Sequence, residues 1–393
     1  MNDYTNIPSV STLGHRCCGC MACVASCRFG ALRLTKDSLG FVRPEFDETC
    51  CVSCGACDNA CPVLNASNVN KVQGSFWCQS KQSEQLFNSS SGGIFGLLAA
   101  DVLEGGGVVY GAAFTDNFTQ VKHVRVADVE DLNRILTSKY VQSYVSPDLY
   151  STILHDLRDG KTVLFSGTSC QVAGLKRYLI GKKYSGSIFT IDVMCHGVPS
   201  PSLWSSYVEY LERKEGRKLD AVNFRSKSSG WTTFSFRYSY QNEKVVEEPH
   251  SENWYMKAFL NNASLRQSCF SCPSKRSCES DITLGDYWGF DSNGKNLDAA
   301  KGVSAVIVHT STGANQLNRV LDDIVYGPAD FEDISANNPA LEHSVSPYEK
   351  REQFYNDMQS GMELAEMIGK WKFRKSFVQR VMGKLRKIFA RNR

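Results

Sequence analysis

The chain has 393 residues, 42% of them hydrophobic, 16 cysteines and a formal net charge of +3, enough for two or three domains with a sizeable packed core. Ten Lys and Arg and no acid fall in residues 370–393, so the first 369 residues carry about −7, which argues against a nucleic-acid reader. Heavy cysteine use behind an N-terminus, MNDYTNIPSV, with neither a basic head nor an apolar run indicates metal or redox chemistry in the cytoplasm. The longest apolar stretch, 94–114, is broken by Asp101, Glu104 and Gly105 to Gly107, so it does not span a bilayer.

The first unit, residues 1–65, is a tandem repeat. Cys17-x2-Cys20-x2-Cys23-x3-Cys27 recurs thirty-four positions on as Cys51-x2-Cys54-x2-Cys57-x3-Cys61, the second copy followed by Pro62 and the first by Arg28. Three thiolates two residues apart wrap one face of a 4Fe-4S cubane, and in tandem runs the fourth cysteine serves the other cluster. The spacing assigns Cys17, Cys20, Cys23 and Cys61 to one cluster and Cys51, Cys54, Cys57 and Cys27 to a second. Zinc ribbons want separated C-x2-C pairs, and a disulfide framework wants a secretory signal. Cys18 and Cys50 fall out of register as spare thiols. Between the repeats, Ala31 to Leu34 and Phe41 to Arg43 read as a hairpin, and the polar run 65–73 as a linker.

A loop, Ser89-Ser90-Ser91-Gly92-Gly93, precedes a helix marked by Ile94, Leu97, Leu98 and Val102, followed by a strand from Val108 to Phe114. Such a loop is either a capping turn or a seat for an anion on unpaired N–H groups. A helix is expected near 128–136, then the polar stretch 137–143, then a helix from Leu149 to Leu157. Strand, break and helix next occur twice: Thr162 to Phe165 before Cys170 and a helix with Val172, Leu175 and Leu179, then Ser187 to Met194 before Cys195 and a helix with Leu203, Tyr207 and Leu211. This alternation predicts a parallel or mixed sheet covered by helices, with Cys170 and Cys195 at the carboxyl edge where such sheets bind ligands.

Cys269-x2-Cys272 adds a chelating pair, making four thiols with Cys170 and Cys195, enough for a third 4Fe-4S cluster. Zinc accepts four thiolates too, free buried thiols are a further alternative, and Cys278 is a substitute for one member of the loop pair. Alternating Phe234, Phe236, Tyr238 and Tyr240 read as a half-buried strand; Arg225 and Lys227 before it read as a solvated loop rather than an anion site. Ser304 to His309 is another strand. Residues 336–393 read as an irregular segment and a basic tail helix with Phe377, Val381, Leu385 and Ile388 on one face, suited to peripheral contact with anionic lipid or to a loosely packed end.

The phrases SSGGIFGLLAADVLEGGGVVYGAAF, SKYVQS, LFSGTSCQVAGLK, DVMCHGVPSPSLW and DITLGDYWG closely resemble the coenzyme F420 hydrogenase/dehydrogenase beta-subunit family over residues 76 to 310. The resemblance implies an iron-sulfur flavoprotein with FAD in the central domain beside a 4Fe-4S cluster. It supports the third cluster at Cys170, Cys195, Cys269 and Cys272, with Ser169 where the family carries proline. By the same carry-over Ser91, Gly92, Gly93, Lys139, Tyr140 and Gln142 are flavin contacts, and His196 and Asp286 are candidate catalytic residues.

The expected architecture is α+β and α/β: a bacterial-type dicluster ferredoxin module (1–65), a larger α/β domain with a mixed sheet (76–335), and a helical tail (336–393). The expected function is an oxidoreductase passing electrons between ferredoxin or another redox protein and FAD, which exchanges a hydride with coenzyme F420, a deazaflavin, or another small acceptor. Two other readings are a non-catalytic electron carrier serving a partner enzyme and a zinc-organised binding protein.

Overall fold

The computed structural model describes residues 7–65, 71–241, 243–275 and 278–373. In the first module the cysteine loops leave room for two one-turn helices, α1 (Ala22–Ser26) and α2 (Ala56–Asn59). Each is entered through a left-handed residue, Met21 at φ 64° and Gly55 at φ 71°, at equivalent places in the repeat. Between them lies the expected hairpin, β1 (Leu32–Lys36) paired antiparallel with β2 (Val42–Phe46). Its core is Val10, Leu13 and Leu32 against four cysteines. So small an apolar core ties the module's stability to its thiol ligands.

The larger domain runs β3 (Gly74–Ser80), α3 (Ser83–Phe87), α4 (Ile94–Glu104), β4 (Val108–Phe114), β5 (Val121–Val126), α5 (Pro147–Arg158), β6 (Thr162–Gly167), α6 (Ser169–Leu179), β7 (Ser187–Val193), α7 (Pro201–Glu215), β8 (Leu219–Ser226), β9 (Ser235–Tyr240), β10 (Val245–Pro249), α8 (Trp254–Leu260), β11 (Ile282–Asp286), β12 (Ser304–Val308), α9 (Ser311–Arg319), β13 (Ile324–Pro328), α10 (Phe331–Asn337), α11 (Arg351–Gln359) and α12 (Leu364–Lys370). Eight strands form a mixed sheet in the order β13-β3-β12-β11-β7-β6-β4-β5. Its centre, β11, β7, β6 and β4, is parallel; β5 closes one side and β12, β3 and β13 the other, all antiparallel. Central strands are buried on both faces, which is why Val163-Leu-Phe and Ser304-Ala-Val-Ile-Val show apolar runs without alternation.

A second, three-stranded sheet of β8, β9 and β10 supplies the aromatic core. Phe234, Phe236, Tyr238 and Tyr240 are all buried, as the period of two requires, against Leu203, Tyr207 and Leu211 of α7. Trp204 is fully buried at the centre, its ring 5.0 Å from both Phe224 and Tyr255. Phe354, Trp371 and Phe373 join the same core, so the segment up to residue 373 packs on the large domain. The expected helix at 128–136 is instead a 3-10 turn over Val129–Arg134. The apolar stripe at Phe377, Val381, Leu385 and Ile388, and residues 66–70 of the expected linker, lie outside the described residues.

The first module docks on α5 and α6 through its Cys17–Cys20 loop. The Tyr150 hydroxyl donates to the Cys20 carbonyl at 2.5 Å. Gly174 lets the Cys20 side chain approach α6: a Cβ there would sit 2.9 Å from Cys20 Sγ.

Trp204→Ala empties the middle of the aromatic core and is expected to lower unfolding free energy by about 3–5 kcal/mol. Chemical denaturation measures this, and a loss below about 1 kcal/mol would show that the core does not depend on this ring.

Candidate functional site

The eight cysteines of the repeat fall into two groups in space. Cys23 lies within electrostatic range of Cys17 and Cys61, and also of Cys57 at the border of the second group; Cys20 is within range of Cys23 and Cys17. Cys27, Cys51, Cys54 and Cys57 together line a small depression of about 130 Å³, rimmed by the exposed Ile7, Phe29 and Val52. Cys54 is exposed, whereas Cys17, Cys20 and Cys23 are buried, so the two sets stand at different depths.

A third group forms where β6 and β7 end. Cys170 occupies the first turn of α6, and Cys195 follows β7. Cys269 senses the charges of Cys195, Cys170 and Cys272, and Cys195 those of Cys170 and Cys272. Burial pushes the Cys195 thiol up to about 12 and raises Cys269 and Cys272 as well. Thiols so desolvated ionise only against a positive centre, as a metal ligand does. Among the described residues no three His, Cys, Asp or Glu side chains converge on the position of a single ion.

Cys278 stands apart from these four, against Ser280 at 2.8 Å and Thr283 at 3.3 Å beside Asp192. Cys78 is core packing, and Cys50 is tied to Thr49 and Asp47 near the surface. Cys18, spare by its register, is buried between Cys20 and Cys170.

Cys195 also lines a cavity of about 790 Å³ at the carboxyl ends of the parallel strands, a size suited to a small-molecule site. Ser89 to Ser91 and Gly93 form one wall, and Lys139, Tyr140, His196 and Asp286 also face it. No side chain among the described residues caps α4, whose first residues Ile94, Phe95 and Gly96 line the cavity behind Gly93 at φ 86°. Uncapped helix N–H groups make a seat for an anion.

Two of the expected contacts lie elsewhere. Gly92 sits behind the wall, its N–H donating to Ser304 Oγ at 2.9 Å, and a Cβ there would collide with the Cys78 carbonyl oxygen. Gln142 reaches the first module instead, donating to the Cys18 carbonyl at 3.1 Å.

Arg225 and Lys227, expected in a solvated loop, are buried. Arg225 pairs with both oxygens of Asp286, at 2.9 and 3.1 Å, and donates to the Ser90 carbonyl. Lys227 donates to the carbonyls of Leu86, Ser91 and Lys301. Two cations thus grip the carbonyl side of the serine loop and turn its other side to the cavity. Trp231 Nε1 also donates to Asp286 at 2.7 Å, so three of its acceptor sites are taken and the carboxylate positions Arg225. His196 is held by Asn262 at 2.6 Å, and burial lowers its pKa.

Nothing in the sequence marks His123. Its ring lies 5.2 Å from that of Phe165 in a stacked arrangement, and Nε2 meets the Ser166 carbonyl at 2.9 Å. Burial pushes its pKa down to about 4. The ring is therefore neutral with the proton on Nε2, and Nδ1 is a buried acceptor that finds no partner among the described residues.

A dicluster module docked on a mixed-sheet α/β domain, with Cys195 at the wall of its cavity, defines an iron-sulfur electron-transfer protein. Residues 160–333 match the family defined by the C terminus of the coenzyme F420 hydrogenase/dehydrogenase beta subunit, and residues 16–65 match the 4Fe-4S dicluster domain. A chain of the F420-reducing NiFe hydrogenase complex from Methanosarcina barkeri is similar, with 17% identity and a TM-score of 0.48 over 74% of this chain and 93% of that one. No curated protein matches. Among the described residues no helix is long and apolar enough to cross a membrane.

Lys139 donates to the carbonyls of Leu136 and Thr137 without a carboxylate, and burial lowers its pKa from 10.5 to about 7. The folded state then binds fewer protons than the unfolded state between those values, so this group's contribution to stability rises with pH across that window. Lys139→Met should exceed wild type in stability most below pH 7 and lose the advantage towards pH 10.5. Urea denaturation at several pH values checks this; a difference independent of pH would contradict it.

Proposed function

We propose that the chain is an iron-sulfur flavoprotein oxidoreductase. Cys17, Cys20, Cys23 and Cys61 would hold one 4Fe-4S cluster, Cys27, Cys51, Cys54 and Cys57 a second, and Cys170, Cys195, Cys269 and Cys272 a third. The observation that carries the reading is their order in space: a set that reaches the surface at Cys54, a set packed against α6 through Cys20, then a set whose Cys195 lines the large cavity. Clusters bound there carry single electrons, and FAD pairs them for hydride exchange with a small acceptor, coenzyme F420 being the one the family name suggests.

The cavity's residues fit that cofactor. Its helix terminus and Ser89 to Ser91 suit a pyrophosphate, and Lys139 adds a cation whose charge such an anion would hold above pH 7. His123 Nδ1 needs a hydrogen-bond donor from whatever fills the cavity, and ring N–H and ribose hydroxyl groups of FAD supply one. Tyr140, stacked on Phe259 with ring centres 4.6 Å apart, offers a rigid wall. The exposed Cys54 set is where ferredoxin or another redox protein would deliver or collect charge.

His123→Phe, which keeps a flat ring and removes the acceptor, is expected to weaken FAD binding about tenfold, the worth of one hydrogen bond. Isothermal titration of flavin-depleted protein measures it. Failure of the wild-type protein to bind FAD at all would contradict the proposal.

A further inference from the structure

Arg266 is among the most deeply buried side chains in the chain, at 1% exposure. Nε donates to the Cys17 carbonyl at 2.8 Å, Nη1 to Gln142 Oε1 at 2.9 Å and Nη2 to the Val42 carbonyl at 2.8 Å. Its guanidinium carbon lies 5.3 Å from the centre of the Phe41 ring. Every one of these partners is neutral. Among the described residues no carboxylate pairs with it, in contrast to Arg225, the other deeply buried arginine, which is matched by Asp286.

A guanidinium cannot shed its proton, and a buried charge with no counter-charge is strongly unfavourable. Its position identifies the missing anion. Arg266 wedges between the Cys17 loop of the first module and the Cys170 end of α6. A Cβ added at Gly19, in the same loop, would lie 2.7 Å from its Nη1, and the charge also reaches the Cys170 thiol. Cys18 bridges the same gap, between Cys20 and Cys170.

We infer that Arg266 is the shared counter-cation of the Cys17 and Cys170 clusters, and that it sets the reduction potential at the contact between the two domains. This rests on the cluster assignment proposed above. A fixed positive charge favours the more negative, reduced form of any cluster beside it, so it raises that cluster's potential. Placed between two clusters, one cation acts on both and raises their potentials together. Arg266 is a positioning residue that touches no substrate.

The test is a redox titration followed by electron paramagnetic resonance on anaerobically purified full-length protein. R266M and R266Q should keep wild-type iron and shift at least one cluster's one-electron equilibrium tenfold or more towards the oxidised form, a fall of about 59 mV. R266K, which keeps the charge and loses the fork, should shift it by less than half as much. If both neutral variants lose iron while R266K retains it, the charge is again what the clusters require. Unchanged potentials in R266M and R266Q, or an R266K shift as large as theirs, would overturn the inference, as would loss of iron from all three. A wild-type chain lacking iron at the third set would overturn the cluster assignment and this inference with it, and the iron count reveals that before any variant is made.

Discussion

Burial of ionisable sulfur is the constraint on which the rest of the structure depends. A cysteine in an apolar setting stays a neutral thiol, and in this chain burial raises the pKa of Cys57 to about 11 and of Cys195 to about 12. Grouping such cysteines at three places is unfavourable for thiolates and favourable for thiolates on iron. The first module has almost no other core, so its fold and its metal content are one equilibrium. Docking adds to the same constraint, because α6 carries both the Gly174 approach to Cys20 and Cys170 itself.

The large domain translates that constraint into a site. Parallel strands β6 and β7 lie side by side, so Cys170 and Cys195 emerge together at the carboxyl edge, where a cavity opens beyond the strand ends. Buried cations build its far wall: Arg225 on Asp286 and Lys227 on three carbonyls hold the serine loop from behind. The loop's shape is therefore set by charge rather than by its own flexible sequence.

Local patterns were legible in the chain and distant pairings were not. The eight-cysteine repeat carries its information within 45 residues and each strand-break-helix unit within about thirty, and the two units form the expected strands and helices. The aromatic strand 234–240 was equally plain, since period and burial coincide there. Arg225 read as solvated because its partner Asp286 is 61 residues away. Arg266 and His123 gave no signal at all, because a lone cation or histidine looks the same in sequence whether it meets water or a cofactor. Gly92 and Gly93 are indistinguishable neighbours in sequence; only the sheet behind them decides that one packs against Cys78 and Ser304 while the other faces the cavity. The missed strand β3 joins the sheet between β12 and β13, two strands more than two hundred residues further on, and its mixed sequence, GSFWCQS, has no clean period.

The most direct test of the account is the iron and acid-labile sulfide content of anaerobically purified protein. Three cubanes require about twelve iron and about twelve sulfide per chain. About eight of each would remove the cluster from Cys170, Cys195, Cys269 and Cys272, and with it the link between the ferredoxin module and the cavity; zinc in place of iron would contradict the account as a whole.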